Sequence, residues 1–246
     1  MSDIPGIYHK SVQTAPITWI GKPIHVVSLG CGSNLARPAR RAIAEAELVL
    51  GSARQLAEVG NIETRADQQT FPSPFSQLAN ILANNQDKSL VVLASGDALF
   101  YGVGSWLDRV IGRDHLIFHP NVSSVQSCFH AIGQPWQGAE TVSVHGRNLD
   151  TLKRHLHNHA LLALLTDAKS HPAAIAQKLV DLGIGTSTVW VCEAMGTEAQ
   201  TVTEFVADAL ALETQTFNPL NVCIVSPGRT PGTACFPRDP GSLVYH

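Results

Sequence analysis

Short apolar runs alternate with stretches of helical period along most of this chain. The runs at 24–29, 48–51, 90–94 and 116–120 have the length and branched content of strands. Parallel strands covered on both faces read as near-continuous apolar segments of this kind. Between them, 37–47 is opened by Pro38 and rich in Ala, Arg and Glu, and predicts a helix. Further helices are predicted at 52–59, at 76–84 with Leu78, Ile81 and Leu82 in helical spacing, and through Val103, Trp106, Leu107, Val110 and Ile111. The polar stretch up to Thr70 has room for another strand. A helix at 124–132 stops at Gly133, and Gln134-Pro135-Trp136-Gln137-Gly138 has linker composition.

The second half repeats the alternation with a different punctuation. Residues 141–147 alternate as a strand that ends in a charged turn, and a polar helix is expected after it. Residues 161–165 form a buried run ending at Thr166-Asp167, and Pro172 opens a helix that reaches Leu182 and stops at Gly183. The run 188–192 breaks at Glu193-Ala194-Met195-Gly196, 200–206 alternates as an edge or hairpin partner, and 221–225 is a last strand before a Pro/Gly-rich tail. The pattern predicts an α/β protein of two α/β domains. These are an N-terminal one at 24–133 with a mostly parallel sheet and a C-terminal one at 134–246 with a mixed sheet, preceded by a polar extension at 1–23.

Composition narrows the classes. With 246 residues, 44% hydrophobic and 15% charged, the chain has material for real cores and no signature of disorder. No apolar run approaches the roughly 20 residues that cross a bilayer, so no membrane partner is expected. Residues 1–23 lack the basic start and apolar centre of a signal peptide. The net charge of −3 and the absence of a Lys/Arg run weigh against nucleic acid as the main partner. Five scattered cysteines with no C-x-x-C spacing suit a reducing cytoplasm, with neither a disulfide framework nor a structural zinc site. His155 and His159 would share a face on a helix, but such clusters are more commonly wet surface, and no metal site is expected.

Candidate chemistry concentrates in loops that follow strands. Gly30-Cys31-Gly32 is not a dinucleotide fingerprint, because Leu35 stands where the third glycine belongs. Ser95-Gly96-Asp97-Ala98-Leu99-Phe100-Tyr101-Gly102 can be read as a helix cap or as a ligand loop. The loops at Gly30, Gly96 and Ser123 all leave parallel strands, which puts them on one sheet edge, where small-molecule clefts form.

In that order, these pieces resemble the tetrapyrrole methylase family, the class III S-adenosylmethionine-dependent methyltransferases, over nearly all of 24–228. Val27-Ser28-Leu29-Gly30-Cys31-Gly32 is similar to the family's first-strand loop, Ser95-Gly96-Asp97-Ala98 to its G-D-P loop, and Ser123-Ser124 to its small-residue pair. Leu164-Leu165-Thr166-Asp167 and Glu193-Ala194-Met195-Gly196 resemble the two segments facing them from the second domain. Val144-His145-Gly146-Arg147 and Ser123-Ser124-Val125-Gln126 look like the branch that methylates carbon 5 of precorrin or cobalt-precorrin in cobalamin synthesis. Two positions depart from the pattern: Cys31 and Ala98 stand where the family has prolines.

The resemblance implies a cleft between the domains that holds S-adenosylmethionine and releases S-adenosylhomocysteine. It would be lined by Cys31, Ser95, Gly96, Asp97, Phe100, Ser123, Ser124, Thr166, Met195 and Gly196, although Met195 reads equally as a core residue. His145 and Arg147 are the candidate catalytic residues, with Arg37 and Arg147 against substrate carboxylates; Arg147 also reads as a solvated turn residue. A homodimer and a separate carbon-15 methyltransferase/decarboxylase are implied partners, and any cobalt would arrive inside the substrate. Three readings compete with this one. They are another corrin position, a relative acting on ribosomal RNA or protein, and a non-catalytic nucleotide-binding α/β module.

Overall fold

The computed structural model describes residues 15–32, 34–156 and 160–228. Most of the expected extension, Ser33, His157, His159 and the tail with Cys235 lie outside the described residues. The first half runs β1 (Ile24–Ser28), α1 (Arg37–Ala44), β2 (Leu48–Gly51), α2 (Ala53–Glu58), β3 (Asp67–Thr70), α3 (Leu78–Ala83), β4 (Leu90–Ala94), α4 (Gly104–Ile111), β5 (Leu116–His119) and α5 (Ser124–Ala131). Its five strands form a wholly parallel sheet in the order β3-β2-β4-β1-β5. The second half runs β6 (Glu140–Ser143), β7 (Leu162–Leu165), α6 (Pro172–Asp181), β8 (Thr188–Glu193), β9 (Thr201–Val206), α7 (Ala207–Leu210) and β10 (Asn221–Ser226). Its sheet has the order β6-β7-β10-β8-β9, parallel between β6 and β7 and antiparallel elsewhere. This is the α/β architecture with one parallel and one mixed sheet that the hydrophobic pattern predicts.

Several boundaries differ from the pattern, each for a local reason. The helix expected through residue 47 ends at Ala44, because Glu47 N–H is taken by the Ser89 carbonyl and the chain is drawn into β2. Helix α4 begins only at Gly104, since Tyr101 sits in left-handed space at φ 56°. The strand expected at 141–147 stops at Ser143: Arg147 N–H bonds to the Val144 carbonyl and Gly146 takes φ 64°, closing a turn. The polar helix after it is a 3-10 helix at Leu149–Arg154, capped by the Asn148 side chain. Residues just before β1 also enter the core, where Trp19 is 5% exposed and Ile17 N–H bonds to the Val110 carbonyl.

The first sheet is sandwiched. Ile24, Val26, Leu90 and Val92 face α3 and α4, while Val27, Val49, Val91 and Leu93 face α1 and α2. In the second sheet, alternation sends Leu162, Leu164, Val189, Val191 and Cys223 toward α6 and α7. The opposite face carries Ala163, Cys192, Val222 and Ile224, and what covers it is α5 through Val125, Cys128 and Phe129. The helix that follows the last strand of the first sheet therefore belongs to the core of the second. The Cys128 thiol meets that of Cys192 across this junction, and with burial this pushes the Cys128 pKa up, so the thiol stays protonated.

Phe129 is 1% exposed at the centre of this junction. Phe129→Ala is expected to cost about 3–5 kcal/mol. Urea unfolding will read this as a lower midpoint, with early loss of the contact between the two sheets.

Candidate functional site

Strands β4, β1 and β5 are neighbours, so the loops leaving their carboxyl ends are neighbours too. They are stitched together by backbone groups. Leu29 N–H donates to the Ala94 carbonyl at 2.8 Å, and Gly30 N–H to the Gly96 carbonyl at 3.0 Å, forming an isolated bridge. Gly30 holds φ 71°, and a Cβ there would sit 2.5 Å from the Asn121 side chain. Asn121 occupies that space from the β5 loop and donates Nδ2 to the Leu29 carbonyl at 3.1 Å. Asn121 thus clamps the third loop onto the first.

The loop after β4 is fixed from inside. The Ala98 N–H donates to the buried Ser28 Oγ at 2.9 Å, and the Asp97 carboxylate accepts from Leu99 N–H at 2.8 Å. A proline at 98 has no N–H to give. The departure from the family pattern at Ala98 therefore exchanges a ring constraint for a hydrogen bond that satisfies a buried hydroxyl. Ser95 is exposed on the rim, and its Oγ accepts from Arg54 Nη2 at 2.7 Å and Gln55 Nε2 at 2.9 Å. Phe100 stacks edge to face on Tyr101, whose hydroxyl donates to the Thr141 carbonyl in β6 at 3.0 Å.

Ser123 is the N-cap of α5, its hydroxyl accepting from Gln126 N–H at 3.2 Å while Gln126 Oε1 accepts from Ser123 N–H at 2.9 Å. That hydroxyl is committed to the helix. Ser123 and Ser124 nevertheless face Gly96, whose added Cβ would lie 3.7 Å from Ser124 N and 3.8 Å from Ser123 Cα. Cys31 lies on the first loop, where burial pushes its thiol pKa up against the pull of a Ser127 hydrogen bond and the Arg54 charge. A protonated thiol is a poor nucleophile.

From the second sheet, the loop after β8 comes down on the first loop. Gly196, at φ 81°, packs so closely that an added Cβ would lie 2.3 Å from Cys31 C and Gly32 N. Ala194 before it holds φ 46°. Tyr101 and Ala194 are the two non-glycine residues with positive φ among the described residues, and both stand where the halves meet. Such strain persists only where the surroundings over-determine it. Met195 is half-buried against the α5 junction.

Thr166 Oγ1 is turned inward, held by Asn221 Oδ1 at 2.7 Å and the Asn221 carbonyl at 2.9 Å, so its backbone is what it can offer a ligand. Its carbonyl lies 3.3 Å from His145 Nδ1. A carbonyl only accepts, so Nδ1 carries a proton, and in the neutral ring Nε2 is the acceptor. Asp167 accepts from the backbone N–H groups of Ser170, Lys169 and Gly146. Burial alone would raise the Asp167 pKa; these three amides and the nearby His145 outweigh it and hold the carboxyl below its usual value. Arg147 is exposed on the same turn, and Arg37 is exposed at the start of α1.

The structure thus brings Cys31, Ser95, Gly96, Asp97, Phe100, Ser123 and Ser124 onto one edge, with Gly196 docked against it and Met195 packed beside α5. His145, Arg147 and Thr166 stand together in the second half, at the ends of β6 and β7. Arg54, Gln55 and Asn121 carry no role in the sequence reading, and Tyr101 stands there only as part of the loop after β4. The Ser52-x-x-Gln55 capping box was a legible pointer to the first pair. His155 follows the 3-10 helix that ends at Arg154 and pairs with Glu140; the face expected with His159 lies outside the described residues. No cluster of three or more metal-ligating side chains exists among the described residues. A cavity of about 480 Å³ lies apart from these loops, between α1 and the His25–His119 pair.

Comparison with known proteins agrees with this fold. The family model for tetrapyrrole (corrin/porphyrin) methylases matches residues 23–211. A precorrin-6Y C(5,15)-methyltransferase (decarboxylating) from Sinorhizobium sp is 34% identical over 209 residues, covering 85% of this chain and 50% of that protein. The chain therefore spans half the length of that relative. A cobalt-precorrin-7 C(5)-methyltransferase from Salmonella typhimurium is 32% identical over 179 residues, covering 72% of this chain and 87% of the relative. A solved uroporphyrin-III C-methyltransferase from Thermus thermophilus, complexed with S-adenosylhomocysteine, shares the fold with TM-score 0.64 at 19% identity, covering 83% and 97% of the two chains.

Two substitutions test the geometry. Gly196→Ala is expected to lower the melting temperature, since its Cβ meets backbone atoms that cannot rotate away. Asp167 has a depressed pKa in the folded protein, so it stabilises the fold above its unfolded value of about 3.9 and loses that contribution as pH falls through the folded value. The stability gap between wild type and Asp167→Asn should therefore narrow on acidification below about pH 4, as read from urea midpoints against pH. With more than half of its length matched by the family model, the chain belongs to the tetrapyrrole (corrin/porphyrin) methylase family.

Proposed function

We propose that this chain transfers the methyl group of S-adenosylmethionine to carbon 5 of a precorrin or cobalt-precorrin in cobalamin biosynthesis. The observation that carries the reading is the docking of Gly196 onto Cys31-Gly32, at the edge where the loops at Gly30, Gly96 and Asn121 are stitched together; the donor cleft of this reading lies along that edge. Carbon 5 is the position shared by the names of the Sinorhizobium and Salmonella relatives. In this reading the protein works in the cytoplasm as a homodimer, and a separate enzyme acts at carbon 15.

The residues present fit an adenosyl donor. Backbone groups of Ser95, Gly96, Asp97 and Thr166 hold its polar atoms, while Phe100 and Met195 cover its apolar ones. The donor supplies an electrophilic methyl on a sulfonium. The protein's task is then to align two reactants and exclude water, which needs no side-chain nucleophile. The protonated Cys31 thiol accords with that division of labour. His145 accepts a proton at Nε2, and Arg37 and Arg147 hold acid side chains of the macrocycle.

Two measurements check this. S-Adenosylhomocysteine at a hundredfold excess over its Kd should stabilise the protein by about 2.7 kcal/mol, read as a rise of several degrees in melting temperature. With a precorrin-type acceptor, one methyl should be added; a protein that binds neither donor nor product would overturn the reading. Asp97→Ala and Asp97→Asn separate the two roles of the central loop. Asparagine keeps the turn to Leu99 N–H and removes the charge, so weaker donor binding in both variants assigns the charge to the ligand. Loss in the alanine variant alone assigns Asp97 to the turn.

A further inference from the structure

Ser95 stands on the cleft rim with its hydroxyl gripped from one side. The capping box of α2 fixes Gln55: its Oε1 accepts from Ser52 N–H at 2.7 Å, so the other end of the amide is the NH2. That NH2 donates to Ser95 Oγ at 2.9 Å, and Arg54 Nη2 donates to the same oxygen at 2.7 Å. A hydroxyl has two acceptor lone pairs and one hydrogen. With both lone pairs engaged, Ser95 can only donate, and its hydrogen points away from α2. Arg54 is not a swinging surface charge, because Glu58 holds it at i+4 on the same helix.

The rim therefore presents an obligate hydroxyl donor beside a fixed guanidinium. Both groups donate, so the rim takes an acceptor, and a carboxylate gains most there, since charge-assisted bonds to a guanidinium are about twice as strong as neutral ones. We propose that Arg54 and Ser95 together receive a carboxylate of one of the two reactants. This rests on the methyltransferase reading. The carboxylate is either that of the donor's amino-acid portion or an acid side chain of the tetrapyrrole. Glu58 neutralises part of the Arg54 charge and so sets how tightly the carboxylate is held.

The experiment compares wild type with Arg54→Gln, Arg54→Lys, Ser95→Ala and Glu58→Gln. Calorimetry measures S-adenosylhomocysteine and 5′-methylthioadenosine, the thioether nucleoside without the amino acid, and steady-state kinetics measure the tetrapyrrole KM. If the donor's carboxylate is bound, Arg54→Gln and Ser95→Ala weaken S-adenosylhomocysteine tenfold or more and leave 5′-methylthioadenosine within twofold. If the tetrapyrrole's is bound, donor affinity stays within twofold and KM rises tenfold or more with kcat little changed. In either case Arg54→Lys loses less than Arg54→Gln, and Glu58→Gln tightens the affected ligand, which a purely structural role would not produce. Equal weakening of both nucleosides, or no change in any ligand, overturns the proposal while leaving the methyltransferase reading intact. Failure of the wild type to bind S-adenosylhomocysteine overturns both.

Discussion

The burial of α5 against the second sheet is the constraint on which the cleft depends. β5 passes into α5 through Pro120-Asn121-Val122-Ser123, so whatever orients α5 also orients the edge of the first sheet. Val125, Cys128 and Phe129 sink into a face made by Ala163, Cys192, Val222 and Ile224. A fully buried Phe or Val contributes about 1.5–3 kcal/mol, against roughly 1 kcal/mol net for a single hydrogen bond such as Tyr101 to Thr141. Apolar packing therefore sets the angle between the halves. The Tyr101 bond and the Gly196 contact then fix the last ångström.

Within that frame the site is made of main chain. Gly30, Gly96 and Asn121 are interlocked so that one loop's missing Cβ is filled by another loop's side chain. Ser28, on the strand itself, holds Ala98 from beneath. Such an arrangement can tolerate the loss of a proline provided the freed N–H finds a buried acceptor. At Cys31 the exchange is different, since a partly buried thiol beside Ser127 fills the space without adding a charge.

The strands, their order of appearance and the parallel-then-mixed division were legible because buried strands leave apolar runs that nothing else in the chain imitates. The edge loops were legible too, once β1, β4 and β5 had been read as parallel. What could not be read was pairing at a distance. The Arg54-Gln55-Ser95 contacts join residues 40 and 41 positions apart, and periodicity carries no trace of them. Tyr101 was read as part of a turn into a helix, whereas its left-handed backbone delays α4 and sends the ring toward β6. The position of α5 was illegible for the same reason. Its moderate amphipathicity shows that one face is buried and does not say against which sheet.

The exposed surface around these loops gives the reading its chemical sense. Leu99 is 57% exposed and Phe100 39%, on the loop after β4, and Val122 is exposed on the loop after β5. Isolated exposed apolar side chains are ordinary, whereas three on adjoining loops accord with the proposed ligand-covered surface. Arg54 lies beside the loop after β4 through its bond to Ser95, while Arg37 and Arg147 are exposed on α1 and on the turn after β6. A phosphate backbone would call for a continuous basic track, which a chain of net charge −3 does not supply. A flat apolar ring with acid groups around its edge calls for apolar contact in the middle and spaced guanidinium groups at the periphery. The proposed carboxylated macrocycle accords with the exposed Leu99 and Phe100 and with Arg54 beside Ser95.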